Sequence, residues 1–121
     1  MANPNQVLGQ ARIKVDGDTL DTKPGASLEL GGPVRSAQRG DYSASGFSVE
    51  ETESKLTCTL LIKRGTRVTD LRDIDNATIT FQADTGQTYI IRNAYVADGI
   101  TVTAGGEGAA VVFQGPAAEE L

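Results

Sequence analysis

Histidine and tryptophan are absent from this 121-residue chain, and cysteine occurs only once, at Cys58. Histidine is the commonest general acid-base group and metal ligand, so its absence argues against most hydrolytic and metal-dependent chemistry. A single cysteine cannot form a disulfide within the chain, which favours a reducing compartment. Because Cys58 lies in the alternating apolar run KLTCTLLIK, we expect it to be a small buried hydrophobic residue and not a nucleophile.

Long apolar runs and net positive charge are also lacking. No stretch approaches the about 18 apolar residues of a membrane-spanning helix. The start MANPNQVLGQ does not have the basic region and apolar run of a signal peptide. The formal net charge is −5, and the residues from 66 onward carry all of it, with three basic and eight acidic side chains. An acidic chain is poorly suited to gripping phosphates, although it can face DNA as a repelling wall.

Glycine, by contrast, is abundant, with 14 residues among many threonines and valines. This composition favours short strands and turns, and the length favours one domain over residues 1–121. The clearest stretch is 66–96, where an apolar period of three residues predicts a short helix and a period of two then predicts a strand. Asp84-Thr85-Gly86 predicts a hairpin turn, and a return strand follows over 89–96. The periodic apolar residues are Val68, Leu71, Ile74, Ile79 and Phe81.

Further strands are predicted on both sides of this stretch. They cover residues 10–15, 19–22, 27–30, 47–52, 55–63, 100–103 and 109–114. Asp16-Gly17 and Asp98-Gly99 are predicted as turns between strands. Eight or nine short strands and one short helix predict a mainly β fold, a two-sheet antiparallel sandwich or barrel with one flanking α-helix.

Three segments show no period: an N-terminal arm (1–9), a long loop between strands (31–46) and a C-terminal tail (115–121). The loop has the sequence GGPVRSAQRGDYSASG, and loops of this length in compact domains are functional or disordered. Its guanidinium, amide, carboxylate and phenol groups suit contacts with another subunit. The residues expected to make these contacts are Arg35, Gln38, Arg39, Asp41 and Tyr42.

Patterns for catalysis or metal binding are weak. Asp16, Asp18 and Asp21 lie close together but lack the remaining ligands of a calcium loop, and turn chemistry explains them. The run GGEG at 105–108 lacks the Lys-Ser/Thr of a phosphate-binding loop. No pair of carboxylates stands out for glycoside hydrolysis. We therefore predict no catalytic residue, no metal site and no cofactor, and expect that the chain is not an enzyme.

The order and spacing of several segments resemble the tail tube proteins of contractile-tailed bacteriophages, in particular the Mu-like group. The segments are ARIKVDGDTLDTKPGASLELGG, the glycine-arginine loop before GFSVEE, KLTCTLLI, TDLRDIDNATITFQADTGQTYIIRNAYV and VVFQGPAAEEL. The resemblance implies a small antiparallel sandwich, six copies of which join into a ring. Rings stack into a tube inside a sheath, and the genome passes through it.

This resemblance also implies partners and a place in the virion. The partners are the chain itself, the sheath protein, and the tape measure, baseplate and tail terminator proteins, with DNA passing through without sequence-specific binding. The tail would be assembled in the host bacterial cytoplasm. Two structural alternatives remain, a type VI secretion-like tube protein and a monomeric β-sandwich that acts as a binding or adaptor module. A small carboxylate-dependent enzyme is a further alternative.

The resemblance, applied by position, separates lumen-facing from core-facing side chains. It places the strands flanking residues 31–46 and the central hairpin on the wall of the channel, with neighbouring copies completing the burial of that hairpin. The expected lumen-facing residues are Ser27, Glu29, Ser48, Glu50, Thr52, Thr78, Thr80 and Gln82. The expected core-facing residues are Leu28, Leu30, Phe47, Val49, Ile79 and Phe81.

Overall fold

The computed structural model describes residues 4–43, 46–65 and 67–121. Residues 1–3 of the predicted N-terminal arm, residues 44–45 of the predicted loop between strands and Thr66 lie outside the described residues. Helix α1 spans Val68–Arg72. The ten described strands are β1 (Ala11–Val15), β2 (Asp18–Leu20), β3 (Ser27–Glu29), β4 (Gly32–Gln38), β5 (Gly46–Thr52), β6 (Ser54–Leu60), β7 (Ala77–Ala83), β8 (Thr88–Thr103), β9 (Gly108–Gly115) and β10 (Glu119–Glu120).

The predicted mainly β fold with one short helix is confirmed, and every strand pair is antiparallel. The central hairpin forms as predicted. Strands β7 and β8 pair from Gln82 with Thr88 to Ala77 with Ala94, and Gly86 has a φ of 101° at the turn. Only glycine adopts this conformation readily, because it has no Cβ to clash with the backbone.

The predicted turn at Asp98-Gly99 is wrong, because strand β8 runs through this dipeptide. The whole strand is 16 residues long, and bulges take up the residues that have no partner on the neighbouring strands. The register against β9 shifts between Ala97 and Thr101, and that against β7 shifts between Ala77 and Ile79. Asn93 and Asp98 have φ values of 55° and 56° at these irregularities. Bulges bend a strand, so β8 can belong to two sheets.

The first sheet contains β2, β1, β7, the beginning of β8 and β10, and the second contains the end of β8, β9, β6 and β3. Contacts between the segment after β2 and the end of β6 join the two sides. Thr22 pairs with Leu60, Lys23 N donates to Thr59 O at 2.8 Å, and Leu61 N donates to Asp21 O at 2.8 Å. The path of strands thereby closes into a barrel, which leaves fewer open edges.

Alternating side chains from both sheets fill the barrel interior. The largest fully buried ones include Phe113, Ile13, Leu56, Ile79 and Ile91. The predictions of a buried Cys58 and of core positions for Ile79 and Phe81 are confirmed. Val68, Leu71 and Ile74 pack partly buried against this core, and so α1 covers the barrel from outside. At five residues, α1 is too short to cross a membrane, and no other helix occurs in the described residues.

The predicted loop over 31–46 is wrong in extent, because residues 32–38 form β4 and Gly46 begins β5. Within the described part of the chain these strands pair only with each other, as a separate two-stranded sheet that we name the arm. A sharp bend at Gly31 separates the arm from the barrel. A Cβ on Gly31 would lie 2.6 Å from Ser54 N, and its φ is 72°. No other residue fits this close backbone approach.

Both ends of the described chain are attached to the barrel. Gly9 N and Gln10 N donate to the Asp84 carboxylate at 3.3 and 3.1 Å. The predicted C-terminal tail contains a strand, since Glu119 pairs with Ile90 and Glu120 pairs with Tyr89. Upstream of this strand, Ala118 N donates to Leu30 O at 2.8 Å, beside the base of the arm.

Candidate assembly surfaces

The arm has two chemically different faces. Antiparallel pairing places Arg35 opposite Val49 and Ala37 opposite Phe47, and directly paired residues share a face. One face is therefore apolar, and it contains Pro33, Ala37, Phe47 and Val49 together with Arg35 and Glu51. The other face is mostly polar, and it contains Val34, Ser36, Gln38, Ser48, Glu50 and Thr52.

The apolar face of the arm is open to solvent. Phe47 is 63% exposed and Val49 is 51% exposed, although both were expected in the core. That expectation is wrong, because the arm lies outside the barrel and pairs with no other strand of the described residues. It is also wrong for Leu30, which is exposed at the base of the arm. Apolar side chains grouped on an exposed face are typical of an interaction surface.

Local contacts hold the arm's side chains in place. The Arg35 guanidinium lies 6.0 Å from the centroid of the Phe47 ring, within the range of a cation–π interaction. On the opposite face, Gln38 Nε2 donates to Ser48 Oγ at 3.1 Å. Beyond the strands, Arg39, Asp41 and Tyr42 extend into the tip, where Tyr42 is fully exposed. The five predicted subunit-contact residues thus lie together on the arm.

The eight predicted lumen-facing residues do not share one surface. The pairing of their strands divides them into three groups, each on a different surface. Thr78, Thr80 and Gln82 point away from the core on the first sheet, as neighbours of Lys14 and Arg12. Ser27 and Glu29 occupy the outer side of the second sheet, where they pair with Thr57 and Lys55. Ser48, Glu50 and Thr52 lie on the polar face of the arm.

A second exposed apolar group was not identified from the sequence. Leu61, Ile62 and Val102 are exposed and line a common depression beside residues 103–108. The apolar alternation of β6 predicted that Ile62 would continue the buried face. The strand ends at Leu60 instead, and so the residues after it lie outside the core. Only their hydrophobicity at the end of a strand could have signalled this surface.

Nothing in the described geometry resembles a reaction centre. Within residues 4–43, 46–65 and 67–121, no group of three or more His, Cys, Asp or Glu is placed to hold a metal ion. The ion pairs, such as Lys63 with Asp21 at 3.1 Å and Arg92 with Glu119 at 3.3 Å, are all exposed, and exposed pairs contribute little stability. The chemistry available is that of contact surfaces.

Burial raises the pKa of the Cys58 thiol to about 11, which predicts a loss of stability at alkaline pH. The folded protein holds the thiol neutral, while the unfolded chain ionises near the ordinary value of 9.0. The contribution is therefore fully present below pH 9 and declines as the pH rises to 11, by on the order of 2 kcal/mol. Urea unfolding of the wild type and of Cys58→Ala between pH 8 and 11 measures it. Equal declines in both proteins would contradict this assignment.

A family model described as phage tail tube protein matches residues 4–120 of the chain. The chain is 32% identical over 102 residues to a Mu-like prophage FluMu tail tube protein of Haemophilus influenzae, covering 84% of this chain and 86% of the relative. It is 33% identical over 94 residues to the tail tube protein of Escherichia phage Mu, covering 78% of this chain and 79% of the relative.

Two solved structures share the fold at low sequence identity. A sheath/tube terminator of an extracellular contractile injection system aligns with a TM-score of 0.70 and 13% identity, covering 99% of this chain and 98% of the other. The tube-terminating cap of the anti-feeding prophage aligns with a TM-score of 0.68 and 8% identity, covering 100% of this chain and 93% of the other.

Proposed function

This chain belongs to the phage tail tube protein family, and we propose that six copies close into a ring and that stacked rings form the conduit for genome delivery. As a member of the family, the protein is a structural, non-enzymatic component of the virion tail. The proposal adds to this role that the ring has six subunits, that rings stack into a tube and that DNA passes through the tube. Tail assembly in the host bacterial cytoplasm is part of the same proposal.

The observation that carries the proposal is the uncovered apolar face of the arm. The barrel covers its own core, but Phe47 and Val49 remain exposed on strands that pair with no other part of the described chain. The free edges of β4 and β5 also carry unpaired backbone groups, which favours pairing with another chain. A neighbouring copy can cover both features at once.

The kind of contact that the arm can make allows a closed ring. The arm differs from every surface of the barrel, so a contact between the two is heterologous, head to tail. Such contacts form a ring when the rotation between subunits closes, and an open helix when it does not. We propose that lateral contacts close the ring and that axial contacts between rings extend the tube.

The first test is electron microscopy of the purified protein at increasing concentration, with and without tail seeds. We expect rings or tubes above a critical concentration, with sixfold symmetry in end views. Particles of another symmetry would contradict the hexamer but not the tube. A monomer that seeds never recruit would contradict assembly itself.

We propose that two of the three polar groups face the lumen, the one on the outer side of β3 and the one on the polar face of the arm. They include Glu29 and Glu50, and negative side chains repel DNA phosphates and so favour sliding. In this proposal Thr78, Thr80 and Gln82, on the other sheet, face away from the DNA.

A charge-reversal experiment separates these surfaces. Glu50→Lys, repeated in every subunit of the tube, should leave tails assembled and slow DNA release from purified virions by on the order of tenfold, since lysines bind phosphates. Gln82→Lys is the matched control and should release DNA at the wild-type rate. Slow release with Gln82→Lys and normal release with Glu50→Lys would assign the lumen to the first sheet.

The outer partners are proposed from the remaining surfaces. Helix α1 carries the exposed pairs Arg67 with Asp70 and Arg72 with Asp73, and the short strand β10 is acidic. We assign these surfaces to the sheath protein. The baseplate and the tail terminator protein are assigned to the two ends of the tube, and the tape measure protein and then DNA to its lumen.

A further inference from the structure

A cavity of about 280 Å³ opens where β1 begins, between residues 8–11 and the connection from β2 to β3. Phe81, Leu8 and Pro24 contribute apolar surface to it, and Leu8 is exposed in this chain. Sites for small organic ligands typically measure about 300–1,000 Å³. The cavity lies just below this range, and its opening beside the exposed Leu8 lets a single large side chain enter it.

Lys23 also lines this cavity. The side chain is half-buried, and no carboxylate of the described residues lies within ion-pair distance of it. An ammonium without a counter-charge attracts a carboxylate. The cavity thus combines a lining of mixed polar and apolar surface with an unpaired positive charge.

The tip of the arm has the complementary chemistry. Tyr42 is fully exposed, and the adjacent Asp41 has no cationic partner among the described residues. Tyrosine is enriched at the centres of protein interfaces, because its ring buries a large area and its hydroxyl tolerates water. The tip therefore offers one aromatic side chain and one negative charge.

We infer that Asp41 and Tyr42 of one copy insert into the cavity of the next copy, with the Tyr42 ring against Phe81 and Asp41 paired with Lys23. This inference rests on the self-assembly proposed above. The arm leaves the barrel beside the C-terminal strand, where Leu30 O accepts from Ala118 N, whereas the cavity opens beside β1. Because the two surfaces are separate, the contact is heterologous and propagates from copy to copy.

Cysteine cross-linking tests the contact in tubes assembled well above the critical concentration, because the Tyr42→Cys subunits lack the inserted ring. A mixture of Tyr42→Cys and Pro24→Cys subunits should give a disulfide-linked dimer on mild oxidation, since a disulfide needs Cα atoms about 4.4–6.8 Å apart. Cys58 is buried and does not compete. The control mixture pairs Tyr42→Cys with Val102→Cys, an exposed position outside the cavity, and should give none.

A charge-swap cycle tests the ion pair. Asp41→Lys and Lys23→Asp should each raise the critical concentration for assembly about tenfold, and the double variant should return it to within about threefold of wild type. Tyr42→Ala should raise it similarly, while Tyr42→Phe, which keeps the ring, should not.

The outcomes distinguish this contact from the general proposal. Tubes of the Tyr42→Cys and Pro24→Cys mixture that form no cross-linked dimer, or single charge variants that assemble normally, would overturn the inserted tip and leave the tube standing. Equal cross-linking to Pro24→Cys and Val102→Cys would also overturn it. A wild-type chain that never joins a tube would overturn both.

Discussion

The substitution Phe47→Asp should abolish tube formation and leave the barrel folded. Phe47 lies on the apolar face of the arm, outside the barrel, and is mostly exposed in the single chain. Burial of one large apolar side chain contributes about 1.5–3 kcal/mol, and a buried unpaired carboxylate adds a further cost. A loss of about 3 kcal/mol at each contact corresponds to a more than hundredfold weaker association.

Sedimentation and negative-stain microscopy measure the loss of tubes, and thermal unfolding measures the fold. The matched control is Ser48→Asp, which introduces the same charge at the next residue, on the polar face of the arm. It should assemble with a critical concentration within a few-fold of wild type. Deleting residues 36–45 should reproduce the effect of Phe47→Asp. If Phe47→Asp forms tubes, the arm is not the assembly surface. If Phe47→Asp loses its cooperative unfolding transition, the barrel does not fold independently of the arm.

The second large effect is expected from Phe113→Ala, which should destabilise the barrel by about 3–5 kcal/mol. Phe113 is 0% exposed and lies on β9, between β6 and β8. Its removal leaves a cavity that neighbours in both sheets cannot fill by small movements. For a domain of this size the midpoint of thermal unfolding should fall by on the order of 10–20 °C.

Val112→Ala is the control for this prediction, because Val112 is the adjacent residue on the same strand and points to the other side. It is only partly buried, and so its truncation should cost on the order of 1 kcal/mol or less. Urea unfolding of both variants at neutral pH measures the difference. Similar losses would mean that the apolar interior is not organised around β9 as described.

The sequence predicted those elements whose two faces lie in different environments. Ile79 and Phe81 alternate with Thr78 and Thr80 because one side of β7 meets the core and the other meets solvent. This contrast leaves a period of two in the sequence. The same reasoning located β6 and the helix before β7.

The arm could not be predicted in this way, because neither of its faces is buried within the chain. Pro33 and Ala37 are weakly apolar and Arg35 lies between them, and so no strong period marks β4. Beyond the bend at Gly31, β4 continues from β3 and β5 leads into β6. Because β3 pairs with β6, the two strands of the arm are brought side by side and pair as a hairpin. Alternation also places Phe47 and Val49 on one face, but it does not say whether that face meets its own core or another subunit.

Two further differences arise from tertiary structure. Asp98-Gly99 is a strong local turn signal, yet β8 continues through it because β9 supplies pairing partners on both sides of the bulge. The predicted lumen residues separate for a related reason. Alternation shows which residues of one strand share a side, whereas the sheet that a strand joins depends on partners distant in sequence.

The antiparallel bridge between Thr22 and Leu60 bears on the order of folding and assembly. Because it lets each subunit complete its interior alone, the assembly proposed above would start from monomers that are already folded. Only the contacts of the arm then remain to be made, and they depend on subunit concentration or on a template. In that proposed assembly, the start and the end of polymerisation set the length of the tube, and each subunit folds before it is added.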